Sequence, residues 1–134
     1  MLMYYDARPC VFNGMFDFYT LRTLKGYYPF VAFSQLYKLG RHFASSSDDQ
    51  DIFVTAAGDA EGKRAVMVVY YTDEDKAKSR GVTVSGDDFN KYSFKLLDKN
   101  LDLEDIDIFA DADGTLQIEL LPNSVLLAVK NNEG

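Results

Sequence analysis

A chain of 134 residues that is 47% hydrophobic carries enough apolar side chains for one sizeable core, so it reads as one domain or one domain with an extra piece. Its formal net charge of -7 runs against nucleic acid or an anionic membrane surface as a partner, because neutralising phosphates takes Lys and Arg. A single cysteine, Cys10, excludes an internal disulfide and leaves the redox compartment open, and no apolar run approaches the roughly 18 residues of a membrane span.

The chain opens on Met1-Leu2-Met3-Tyr4-Tyr5-Asp6, which lacks the basic n-region and long apolar h-region of a signal peptide. It reads as the tail of something longer. Residues 1–5 are a short strand candidate. Residues 6–26 show little periodicity, with turn signals at Arg8-Pro9 and Asn13-Gly14. Phe12, Met15, Phe16, Phe18, Tyr19 and Leu21 make this loop unusually apolar. A loop normally runs over the surface and is polar. One this greasy is expected to lie against another surface, and without that partner the stretch 12–24 should be poorly ordered or drive dimerisation.

The one convincing helix spans 28–39. Pro29 suits its first turn, where a missing N–H costs nothing. Phe30, Phe33, Leu36 and Tyr37 with Leu39 give near-helical spacing on one face, and Gly40 is a C-cap signal flanked by Lys38 and Arg41. Residues 44–50 are a polar linker, after which the period becomes that of a β-strand.

Strand candidates follow at 52–57, 65–71, 81–85, 92–98, 106–109, 115–120 and 124–129. The longest apolar run, Ala65-Val66-Met67-Val68-Val69-Tyr70-Tyr71, reads as a strand buried on both faces, and the nearly all-apolar 125–129 reads as central. Turn chemistry is explicit at 58–62, 85–88, Asp113-Gly114 and Pro122-Asn123. The expected fold is mainly β: an antiparallel β-sandwich of about seven to eight strands with one N-terminal α-helix. The expected division is a strand–loop–helix segment over 1–44, the sandwich over 45–131 and a tail at 132–134. No repeat of fixed period is visible.

No catalytic constellation emerges from the residue types. A retaining glycosidase, for instance, needs two carboxylates about 5–5.5 Å apart, one with a raised pKa. The carboxylates here fall mostly in turns, at Asp48-Asp49, Asp73-Glu74-Asp75, Asp87-Asp88, Asp111 and Asp113, where solvation is the rule. Asp6, at the end of an apolar strand, is the exception; a salt bridge to Arg8 or a turn cap is its plainer reading. Asp111-Ala112-Asp113-Gly114 hints at calcium, but an EF-hand frame would put Phe109 at its first position and Leu120 at its twelfth, so a hairpin turn is the better reading. His42 is the only histidine; with Cys10 it makes neither a zinc site nor an oriented nucleophile–base pair. No phosphate-binding glycine motif occurs, and no cofactor is expected. Tyr19, Tyr27, Tyr28, Tyr70, Tyr71 and Tyr92 are candidates for stacking on sugar rings, with core filling as the plainer use.

Three stretches carry a resemblance: Tyr4-Tyr5-Asp6-Ala7-Arg8, Phe12-Asn13-Gly14-Met15-Phe16-Asp17 and Leu24-Lys25-Gly26-Tyr27-Tyr28. Together they resemble the C-terminal end of clan A retaining glycoside hydrolases of the bacterial β-xylosidase and arabinofuranosidase type, in which a (β/α)8 barrel is followed by a β-sandwich. Met15 stands where leucine is usual. The resemblance implies that residues 1–8 are the last barrel strand, 12–19 the loop beyond it and 28–39 the closing helix. Asp6 and Arg8 would then contact sugar in the parent enzyme, since such sites lie at the C-terminal ends of the barrel strands. The acid/base and nucleophile glutamates of such enzymes lie on earlier strands, outside these 134 residues. The implied role is a non-catalytic accessory sandwich that packs on and stabilises the upstream catalytic barrel of the same parent chain. Two alternatives stand beside it: an autonomous carbohydrate-binding module using exposed Tyr residues, and a contribution to a glycosidase site only within the full-length chain. A polysaccharide-degrading parent would be secreted or periplasmic.

Overall fold

The computed structural model describes residues 14–130. The strand expected at 1–5, the Arg8-Pro9 turn, Phe12, the site candidates Asp6 and Arg8, Cys10 and the 132–134 tail lie outside the described residues.

The described chain is an antiparallel β-sandwich with one α-helix. After a 3-10 turn at Lys25–Tyr27, helix α1 runs Tyr28–Leu39 with Pro29 in its first turn. Gly40 ends it in the left-handed conformation (φ 79°), a geometry glycine adopts without steric cost, and its N–H donates to the Tyr37 carbonyl. Eight strands follow: β1 Arg41–Phe43, β2 Ile52–Gly58, β3 Arg64–Tyr70, β4 Arg80–Val84, β5 Tyr92–Leu97, β6 Asp102–Ile106, β7 Leu116–Leu120 and β8 Ser124–Lys130. Six form one sheet in the order β1-β2-β3-β8-β5-β6, and β4 pairs with β7 in a second sheet. All pairings are antiparallel.

The centre of the large sheet is the β3–β8 pair, with Val68 opposite Leu126 and Met67 opposite Leu127. Because successive side chains point to opposite faces, each strand feeds two cores. One face, with Val68, Tyr70, Leu126 and Phe94, packs on Leu116 and Leu120 of the second sheet. The other, with Ala65, Val125, Leu127 and Leu97, packs on Ala32 and Leu36 of α1. Tyr70 and Tyr71 show the alternation: Tyr70 is buried and its hydroxyl donates to the Lys78 carbonyl, whereas Tyr71 is exposed.

Three local expectations need correction. First, the face read for α1 divides: Leu36 and Leu39 turn to the sheet together with Tyr28 and Ala32, whereas Phe30, Phe33 and Tyr37 lie away from it. Small Ala32 lets the helix approach Ala57 and Ala65 closely, and this positions Tyr37 outward at 78% exposure. Second, residues 41–43 form a strand, pairing Arg41 with Gly58 and Phe43 with Ala56. Three residues are too few to show a period. The pairing needs Gly58, where an added Cβ would lie 2.6 Å from the Phe43 ring and 2.9 Å from the Lys63 carbonyl oxygen.

Third, the strand placed at 106–109 is Asp102–Ile106 instead. It is an edge strand, disguised by its exposed acids and by an irregular register opposite Leu96/Leu97. Charge on an edge is a common guard against edge-to-edge pairing. The described part of the apolar loop closes on its own hydrogen bonds. Phe16 bridges Thr23, the Asp17 N–H donates to the Arg22 carbonyl at 2.8 Å, and the Leu24 N–H donates to the Met15 carbonyl at 2.9 Å. The Asp17 carboxylate accepts from the Tyr19 and Thr20 N–H groups and the Thr20 hydroxyl.

These burials set unequal costs. Leu126→Ala should lower unfolding free energy by about 2–5 kcal/mol in urea titration, because it opens a cavity in the interlayer core. Tyr37→Ser should move it by less than about 0.5 kcal/mol. Equal losses for the two variants would contradict the placement of Leu126 in the interlayer core and of Tyr37 on the exposed side of α1.

Candidate functional site

The candidate residues that the structure describes do not converge. His42 lies exposed on β1. No group of three or more His, Cys, Asp or Glu that could hold a metal occurs among the described residues. The Asp111-Ala112-Asp113-Gly114 stretch is a turn: the Gly114 N–H donates to the Asp111 carbonyl, Asp113 accepts from the Thr115 N–H, and the Asp111 carboxylate accepts from the Gln117 amide. Of the tyrosines, Tyr70 and Tyr92 are core residues and Tyr27 and Tyr28 are half-buried. Tyr19 is 83% exposed in the loop, and Tyr71 is 60% exposed at the end of β3.

Two surfaces remain. The first is apolar. Phe18, Tyr19, Leu21 and Leu24 in the loop and Tyr37 on α1 are large exposed hydrophobic side chains, and Phe18 meets Tyr19 edge to face at 5.2 Å between ring centres. Phe30 and Phe33, both half-buried, share the outward side of α1 with Tyr37. Loop and helix belong to one continuous stretch of chain, joined by the Phe16–Tyr27 and Tyr27–Tyr28 ring contacts at 5.6 and 5.9 Å.

The second surface is an open groove of about 750 Å³ between β4 and the β1–β2 end of the large sheet. Val54, Ala56 and Val66 form its floor, and residues 43–49 run along it, with the Ser45 hydroxyl donating to the Val54 carbonyl. At one end the Arg80 guanidinium reaches Asp49 at 2.5 Å and Asp51 at 3.2 Å, and lies over the Tyr70 ring. At the other end the Asp87 carboxylate accepts from Arg64 at 2.6 Å, the Tyr92 hydroxyl at 2.8 Å, the Asp88 N–H at 2.8 Å and Lys130 at 3.4 Å.

Asp87 was expected among the solvated turn carboxylates, yet its side chain is only 17% exposed. Nothing in the local sequence marks it, because its cations come from β3 and β8. Burial opposes its charge, but the Tyr92 hydroxyl, the Asp88 N–H, Arg64 and Lys130 outweigh burial and hold the carboxyl at about 2. Burial, followed by the Asp87 carboxylate it donates to, pushes the Tyr92 hydroxyl up. Asp49 is lowered by the Asp51 N–H and by Arg80, and Asp17 and Asp113 by their turn donors. Every shifted carboxyl among the described residues therefore moves down, the opposite of what a general acid at neutral pH needs.

The sequence matches no family model and no curated protein. Solved structures do share its fold. The catalytic domain of the family 30 glycoside hydrolase xylanase C from Talaromyces cellulolyticus superposes with a TM-score of 0.65 at 19% identity, over 84% of this chain and 25% of that one. A family 30 subfamily 8 xylanase from Clostridium acetobutylicum gives 0.64 at 18% identity, over 89% of this chain and 31% of that one. A family 30 endoxylanase from Clostridium papyrosolvens gives 0.64 at 14% identity, over 87% and 30%. The chain has the fold of a part of clan A glycoside hydrolases, in agreement with the resemblance carried by its N-terminal motifs. It spans about a quarter to a third of the length of those enzymes.

The Asp87 cluster gives a pH dependence with a definite sign. A carboxyl lowered to about 2 in the folded chain, against roughly 3.9 unfolded, stabilises fully above about pH 4. That contribution, about 2 kcal/mol, is lost as pH falls from about 4 towards 2. Asp87→Asn should remove most of it at pH 7 and flatten the stability profile across that window in chemical unfolding. An unchanged profile would contradict the assignment.

Proposed function

We propose that this chain is a non-catalytic accessory β-sandwich of a glycoside hydrolase, seated on the catalytic barrel of a longer polypeptide through its loop and the outward side of α1. The observation that carries this reading is the apolar surface. Phe18, Tyr19, Leu21, Leu24 and Tyr37 stay exposed although the loop that bears most of them has closed on its own hydrogen bonds. A monomer gains nothing by presenting so many large apolar side chains on one stretch, and contiguous exposed patches mark partner surfaces. The fold shared with a quarter to a third of xylanase chains supplies a partner of matching kind, the remainder of such an enzyme.

In this arrangement the role is cohesion. Burying each of these side chains contributes about 1.5–3 kcal/mol, so the contact stabilises both pieces. The reaction belongs to the barrel. The downward shifts of Asp17, Asp49, Asp87 and Asp113 support this division, since none of these four is poised to donate a proton to a leaving oxygen near neutral pH. Asp6 and Arg8 are the residues of this chain proposed to contact sugar in the assembled enzyme.

A second reading rests on Phe53 and Tyr71, both more than half exposed. Phe53 pairs with Val69, which puts Tyr71 diagonally across on the same face, where two rings can stack on a sugar chain. Retention of the isolated chain on insoluble xylan, abolished by Phe53→Ala/Tyr71→Ala, would favour that reading.

The first reading expects no turnover of xylan or aryl β-xylosides by the purified 134-residue chain and turnover by the longer polypeptide. In the longer polypeptide, Tyr19→Ser/Leu21→Ser/Tyr37→Ser should lower the melting temperature by about 5 °C or more, and in the isolated chain it should reduce self-association. Hydrolysis by the isolated chain, or a triple variant without effect in the longer polypeptide, would contradict the proposal.

A further inference from the structure

β4 is held differently from its neighbour. Among the described residues it pairs only with β7, and its other edge faces the groove. β7 is fixed by burial, since Leu116 and Leu120 are fully enclosed in the interlayer core. Along β4 only Val84, its last residue, is buried in that core; Val82 is half-buried, while Gly81 and Thr83 are exposed. A Cβ built on Gly81 would meet nothing within 4 Å.

The ionic groups sit at the two extremities of this segment. Arg80, its first residue, is pinned to Asp49 and Asp51 ahead of β2 and to the ring of Tyr70 at the end of β3. Asp87, three residues past its end, is pinned to Arg64 at the start of β3, to Tyr92 at the start of β5 and to Lys130 at the end of β8. β2 and β3 pair Ile52 with Tyr70 and Gly58 with Arg64, so the two clusters stand at opposite ends of the same hairpin.

We propose that β4 is a strap clasped at both ends, and that the Arg80 and Asp87 clusters together set the width of the groove between the layers. Releasing both clasps leaves β4 held by its ladder with β7 and by Val84, so that its Arg80–Thr83 part can tilt away from the large sheet. The apolar floor of Val54, Ala56 and Val66 is then uncovered without unfolding the sandwich.

The test is a width measurement. Spin labels at Thr83→Cys on the strap and Ser46→Cys on the opposite wall, in a Cys10→Ser background, report the distance across the groove by pulsed electron paramagnetic resonance. The parent should give one narrow distribution. Arg80→Gln/Asp87→Ala should give a longer and broader one with an unchanged far-ultraviolet circular dichroism spectrum, and each single variant an intermediate one. Should the double variant fail to fold, the labelled parent in about 1 M NaCl, where the Debye length falls to about 3 Å, should broaden in the same sense because Arg64 and Arg80 are both partly exposed. An unchanged distribution in the folded double variant, or in high salt when that variant does not fold, would overturn the proposal.

Discussion

The pairing of β3 with β8 is the constraint on which the rest of the molecule depends. Both strands are apolar on both faces, so their ladder has no side that can face water. One face has to be covered by something, and so does the other. The chain meets the two demands with different material: α1 on one side, through Ala32 and Leu36, and the β4–β7 sheet on the other, through Leu116 and Leu120. The outer strands β1, β2, β5 and β6 extend this pair sideways.

The two covers have unequal consequences. The helix is apolar nearly all round. Ala32 and Leu36 satisfy the sheet, which leaves Phe30, Phe33 and Tyr37 on the side turned away from it. A helix with two apolar faces belongs between two layers. The preceding loop exposes Phe18, Tyr19 and Leu21 as well. The smaller sheet is only two strands wide and cannot span six, so the β1–β2 end of the large sheet opens into a groove whose rim is held by ion pairs. Packing thus generates both surfaces of interest.

Most of the architecture was legible in the residues because the strands alternate or run apolar and the turns carry Gly, Asp and Asn at the required places. The central position of β8 followed from Val125-Leu126-Leu127-Ala128-Val129 alone. What escaped were features decided by tertiary contact. β1 exists because Arg41–Phe43 finds the edge of β2, and no three-residue pattern announces that. β6 hides its strand character behind acids that protect an edge. The choice of which helix stripe to bury turned on the small size of Ala32 against larger rings, a packing preference that periodicity does not weigh. Asp87 looked like any turn carboxylate, because Arg64 and Lys130 come from strands distant in the sequence. The candidate site was less legible than the fold: the loop's apolar character was plain in the residues, but its closed hydrogen bonding and the outward side of α1 needed the structure.

The central claim is that the loop and the outer side of α1 are covered in the working protein by the rest of a glycoside hydrolase. Hydroxyl-radical footprinting of Tyr19 and Tyr37, in the 134-residue chain and in the longer polypeptide, tests it most directly. The account predicts strong labelling of both rings in the short chain and protection of both in the long one, with Tyr71 labelled equally in each. Equal labelling of Tyr19 and Tyr37 in the two proteins would contradict it.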